Sequence, residues 1–125
     1  MTDRVGKYDM TIVQGSDTNN ISITPKESDG SPINLTNYTA KVQLRKDDNS
    51  VEVLDELTTE NSRITITEYD VEGVTFWKIT LLFPSATTRN YTVFNAVYNL
   101  EIYSDSGIVT RLLEGEVTVS PEVVR

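Results

Sequence analysis

The chain has 125 residues, 19 acidic and 11 basic side chains for a formal charge of -8, and neither cysteine nor histidine. That length fits one domain around one core, and the missing residue types exclude disulfides, thiolate chemistry, thiolate zinc sites and the commonest general base and metal ligand. An acidic surface repels phosphate backbones and anionic headgroups, and no run approaches the roughly 18 apolar residues of a membrane span, so neither nucleic acid nor membrane is an expected partner.

Residues 1–10, MTDRVGKYDM, lack the apolar stretch of a secretion signal, which sets the expectation of a protein made in the cytoplasm. Residues 8–13 alternate, with Tyr8, Met10 and Ile12 on one side, and QGSDTNN breaks the run before Ile21 and Ile23 mark a second strand. KESDGSP reads as a turn, because Asp29-Gly30 supplies the positive φ of a tight reversal. Ile33 and Leu35 are apolar plugs among Asn and Thr. They precede a strand over residues 39–45 in which Ala40, Val42 and Leu44 face inward and Lys41, Gln43 and Arg45 face water.

KDDNS stops that strand with side chains that bond their own backbone. Val51 and Val53 suggest a short strand, RITIT another through Ile64 and Ile66, and EYDVEG a loop. Over residues 75–83, Trp77, Ile79 and Leu81 form an apolar face opposite a mixed one, and Trp77 is the expected core anchor because a buried indole removes so much apolar surface from water. PSATTRNYT has room for one helical turn. Residues 94–103 set Phe94, Ala96, Tyr98, Leu100 and Ile102 on one side, and SDSG closes a hairpin onto residues 108–120. In that last run Val117 and Val119 define one parity while adjacent Leu112 and Leu113 satisfy both, which predicts a β-bulge, placed near Gly115. Pro121 ends the ladder.

Period-two burial in about seven or eight strands predicts an all-β chain, an immunoglobulin-like antiparallel β-sandwich. It would span residues 8–120, with an N-terminal arm of residues 1–7 and a C-terminal tail of residues 121–125. A closed barrel is the alternative, since alternation does not report whether sheet edges close.

Only paired carboxylates are left for catalysis. Glu114 and Glu116 on one strand face would stand about 7 Å apart, within the range of glycosidase acids. No aromatic cleft pattern accompanies them, and a solvated strand face is the commoner reading. KDDNS and SDSG offer oxygen ligands without the loop pattern of a calcium site, and turn formation accounts for both. The expectation is a non-enzyme without cofactor or metal that binds other proteins. The candidate interaction residues are Tyr91 and Tyr103 near strand ends and Val123 and Val124 in the tail. Tyr91, Phe94 and Tyr103 also suggest an alternative, a sugar-binding platform on a host-adhesion module.

Three stretches carry a resemblance: IVQGSDTNNISIT, DGSPINLTNYTAKVQLR and YNLEIYSDSGIVTRLLEGEVTVSPEVVR. The positions are Gln14, Gly15 and Asp17; Asp29, Gly30, Pro32, Ile33, Leu35, Thr36, Tyr38 and Thr39; and Arg111, Leu112, Leu113, Glu114, Gly115, Val117 and Val119. In these the chain resembles small single-domain structural proteins of tailed bacteriophages. The resemblance implies an immunoglobulin-type sandwich assembled into the virion in the host cytoplasm, as part of the tail, baseplate or fibre, or of the neck or capsid. Its implied partners are other virion proteins, with copies of the chain itself possible in a symmetric assembly. Residues 51–73 match nothing in that pattern.

Overall fold

The computed structural model describes residues 6–123, which form nine strands and one short helix. In chain order these are β1 (Gly6–Lys7), β2 (Met10–Val13), β3 (Asn20–Ile23), β4 (Thr39–Arg45), β5 (Asp55–Thr58), β6 (Ile64–Val71), β7 (Val74–Leu82), α1 (Ser85–Thr88), β8 (Asn95–Tyr103) and β9 (Val109–Ser120). The larger, six-stranded sheet runs β1-β9-β8-β4-β5, with β2 also on β9, and the smaller runs β3-β7-β6.

Alternation builds both sheets. Ala40, Val42 and Leu44 of β4 and Ala96, Tyr98, Leu100 and Ile102 of β8 turn inward, while Lys41, Gln43 and Arg45 line the outer face as expected. Their inward side chains share one core with Leu57 of β5, with Ile64, Ile79 and Leu81 of the smaller sheet and with Leu35 and Phe83 from the connections. Each such aliphatic contributes about 1.5–3 kcal/mol over leaving it exposed. The KESDGSP turn, the plug Leu35 and the helical turn after Pro84 all form where the sequence places them.

Several expectations are corrected. The first run is parallel to β9, so the larger sheet is mixed rather than antiparallel. Gly6 and Lys7, expected in a free arm, already pair with Leu113 and Glu114. The same register resumes at Met10 opposite Val117, but Tyr8 and Asp9 leave the ladder between. Tyr8 is exposed rather than beside Met10 and Ile12. Its carbonyl turns inward and accepts the Tyr98 hydroxyl at 2.5 Å, while the Asp9 carboxylate takes the Glu116 N–H at 2.9 Å. Gly115 makes this crossing possible, since a Cβ there would lie 2.1 Å from the Tyr8 oxygen.

Gly115 is therefore a close-approach glycine, and the bulge sits elsewhere: the β8–β9 register shifts between Leu100 and Glu101, whose partners Leu113 and Arg111 leave Leu112 as the extra residue. Trp77 is only half-buried, and Phe83, 1% exposed, is the largest side chain fully inside. Phe94 is exposed because β8 begins after it. Val51, 92% exposed, and Val53 lie outside any strand; β5 starts at Asp55, where buried Leu57 draws the chain onto β4. EYDVEG is mostly strand. β6 continues to Val71, and only Glu72 (φ 51°) and Gly73 (φ 83°) form the turn, both in the left-handed region that a two-residue hairpin of this type requires.

Candidate interaction surfaces

One end of the molecule is closed by side chains that bond across the chain. Gln14 Nε2 donates to the Thr88 and Tyr91 carbonyls at 3.1 and 3.2 Å, and Gln14 Oε1 accepts the Glu122 N–H at 2.9 Å. Gly15 N–H donates to Thr88 Oγ1 at 2.9 Å, and a Cβ on Gly15 would strike the Glu122 carboxylate. Asp17 accepts the Ser85 N–H at 2.9 Å, and the Ser85 side chain, together with that N–H, holds the Asp17 carboxyl below its ordinary value. Asn19 folds back to bond both the N–H and the carbonyl of Val13. The QGSD stretch thus joins the first loop, α1 and the exit from β9.

Beside it lies a clamp between the sheets. Asp55 at the start of β5 takes two bonds from Arg63, at 2.8 and 3.2 Å, while Arg63 Nε donates to the Leu82 carbonyl at 2.9 Å. Tyr91 donates its hydroxyl to the same Asp55 carboxylate. Burial, with Asp55 next, pushes the Tyr91 phenol far above its ordinary value. Tyr91, a candidate contact residue, is therefore committed to the clamp.

Tyr103 sits apart from Tyr91, on the outer face of the larger sheet. Its hydroxyl donates to Glu101 at 2.8 Å and the Lys41 ammonium stands 5.9 Å from its ring centre. Phe94 and Tyr103 bracket β8 and are about 30 Å apart along it. The three proposed platform aromatics therefore do not share one surface. Val123 is exposed, and Val124 lies outside the described residues.

The outer face around Tyr103 is a shallow concavity of about 820 Å³. Its charges are of both signs and partly paired: Glu114 lies 3.9 Å from Lys7 and 3.8 Å from Arg111, and Arg45 donates to Gln43 at 2.8 Å. Glu114 and Glu116 both line it, as their spacing predicts. Among the described residues no three acids cluster as a metal site would require.

The remaining surface is one that sequence reading missed. The outer half of the β6–β7 hairpin exposes Tyr69, Val71 and Val74, with the Tyr69 and Phe76 rings stacked at 5.9 Å between centres. A signal was present: in EYDV the β-favouring Tyr69 and Val71 alternate with acids, although on the opposite parity from Ile64 and Ile66. The acids at Glu68 and Asp70 hid it by resembling loop composition. Comparison with protein-family models and with curated proteins finds no match to the sequence.

Proposed function

We propose that the chain is a non-enzymatic structural protein of a tailed bacteriophage particle, an immunoglobulin-like sandwich that joins neighbouring virion proteins on the particle exterior. Strand order supports the fold class. With β1 and β2 counted as one first strand and β5 as an added edge, the second, fifth and fourth strands face the seventh, sixth and third, as in immunoglobulin domains.

The observation that carries the reading is the position of the phage-like residues. Gln14, Gly15 and Asp17 tie the closed end, Asp29 and Gly30 make a turn, Leu35 plugs the core, and Gly115 admits the first strand. The resemblance thus rests on residues that make the fold, as expected of a shared scaffold. An acidic surface suits the outside of a particle better than contact with packaged DNA. Attachment is assigned to exposed strand edges, whose unpaired amides and carbonyls favour an added strand, and to the exposed Val123 of the tail. The sugar-platform alternative needs Tyr91, Phe94 and Tyr103 on one surface and finds no support in their separation.

The test is mass spectrometry of gradient-purified particles of the phage that encodes the chain, followed by imaging to locate it. A fixed copy number per particle is expected. Recovery of the chain only as free protein would overturn the proposal.

A further inference from the structure

β3 pairs with β7 only at its last four positions, Ile79 to Leu82, so residues 67–78 of the β6–β7 hairpin reach beyond the third strand. β6 is the open edge of its sheet along its whole length. Its register with β7 is unbroken from Ile64 to Val71, and it contains no proline, lysine or bulge, three of the usual guards of an edge. Val71 and Val74 flank the two-residue turn and exchange both backbone bonds, so Ile66, Glu68 and Asp70 direct their N–H and C=O groups to the open side.

The two faces of this extension differ in chemistry. On the outer face Tyr69 (39% exposed), Val71 (47%) and Val74 (45%) adjoin Phe76 in one apolar stripe. On the other face Glu68 pairs with Trp77 and Asp70 with Thr75, whose hydroxyl donates to Asp70 at 2.7 Å. Among the described residues neither acid is in an ion pair. A second copy of the chain is a poor occupant of this edge. Antiparallel self-pairing would set Glu68 and Asp70 of each copy beside those of the other, and like charges across strands destabilise.

We infer that the open edge of β6 accepts an added strand from a different protein, one whose side chains alternate between apolar and basic. The apolar set would cover Tyr69 and Val71, and the basic set would pair with Glu68 and Asp70. Main-chain bonds supply the affinity and the alternation supplies the specificity. This inference rests on reading the chain as an attachment module and names the surface and the partner chemistry.

The test is fluorescence anisotropy of the full chain with a labelled peptide of about ten residues alternating valine and lysine, against its valine–glutamate counterpart. The lysine peptide should bind and the glutamate peptide should not. The double variant Glu68→Lys, Asp70→Lys should weaken the lysine peptide by about tenfold or more and acquire binding of the glutamate peptide. Glu68→Pro should remove binding of the lysine peptide, because it takes away an outward N–H without touching the β6–β7 ladder; urea unfolding checks that each variant folds. Equal affinity for the lysine peptide in all three proteins would overturn the inference. So would absence of binding to the unmodified chain, or a dimer of it that the lysine variant loses. None of these outcomes depends on whether the chain is found in particles, so this inference and the virion proposal fail separately.

Discussion

The two ends of the smaller sheet are built on opposite terms. At the closed end Gln14, Asp17, Asp55, Arg63 and Tyr91 each bond a residue outside their own loop or strand, and Asp55 and Arg63 are largely withdrawn from water. At the other end the outer half of the β6–β7 hairpin has no third strand, and its contacts are mostly internal to the hairpin. Thr24, bonded to the Tyr69 hydroxyl at 3.1 Å, and Lys26, 5.4 Å from the Phe76 ring centre, are exceptions. Stability resides where groups are paired and buried, whereas surface open to a partner resides where they are not. Substitutions at the two ends should therefore separate in magnitude.

The largest effect is expected at the clamp. Asp55→Ala strands the Arg63 guanidinium and the Tyr91 hydroxyl in a half-dry site and should lower stability by about 3–5 kcal/mol, read as a reduced urea midpoint. A loss below about 1 kcal/mol would place the pair among surface ion pairs and erase the contrast.

Next comes the crossing of the first strand. Gly115→Ala drives a methyl into the Tyr8 carbonyl and should cost about 1–3 kcal/mol, with loss of amide protection in β1 and β2 in hydrogen exchange. Unchanged protection would show that the first strand is seated without that approach.

Tyr98→Phe deletes the donor to the same carbonyl and should cost about 1–2 kcal/mol at neutral pH. Burial, with the neighbouring Tyr8 and Asp9, raises the Tyr98 phenol far above its ordinary value of 10.0. A folded-state pKa above the unfolded one gives stability that is complete below pH 10 and fades as pH rises toward the folded value. The gap between the unmodified chain and Tyr98→Phe should therefore narrow only in strong alkali. A gap independent of pH would remove this bond as the cause.

Asp17 titrates in the opposite sense. Its bonds to Ser85 lower its pKa below 3.8, so its contribution is present above that value and is lost as pH falls through the folded one. Asp17→Asn should be the less stable protein at pH 7, by a small margin at an exposed site, and the two should converge in strong acid. The smallest change is expected on the hairpin. Glu68→Ala should shift stability by no more than about 0.5 kcal/mol in urea titrations. A larger loss would mean that the extension bears on the core after all.

Much of this contrast was legible beforehand, but unevenly. The inward sets of β4 and β8 were readable because each strand packs one face on a core, which forces alternation onto its side chains. Leu35 was readable as an isolated apolar residue among polar ones. Val51 and Val53 misled because they alternate without a core to face, and EYDV misled because a strand beyond the core can carry acids on its inner side. Gly115 misled as the place of the bulge, which falls at Leu112; its own role depends on Tyr8, distant in sequence. The clamp left no local trace, since Asp55, Arg63 and Tyr91 are ordinary polar residues taken one at a time.

What the sequence determined by itself is the all-β class, most strand positions and their inward faces, because period-two burial is a local property that each segment records. Only the tertiary structure decided the parallel first strand, the Leu112 bulge, the Asp55–Arg63–Tyr91 clamp and the overhang of the β6–β7 hairpin. Each of these follows from which segments become neighbours and how far they overlap, and pairing across long loops is set by the free energy of the whole packed chain rather than by any window of residues.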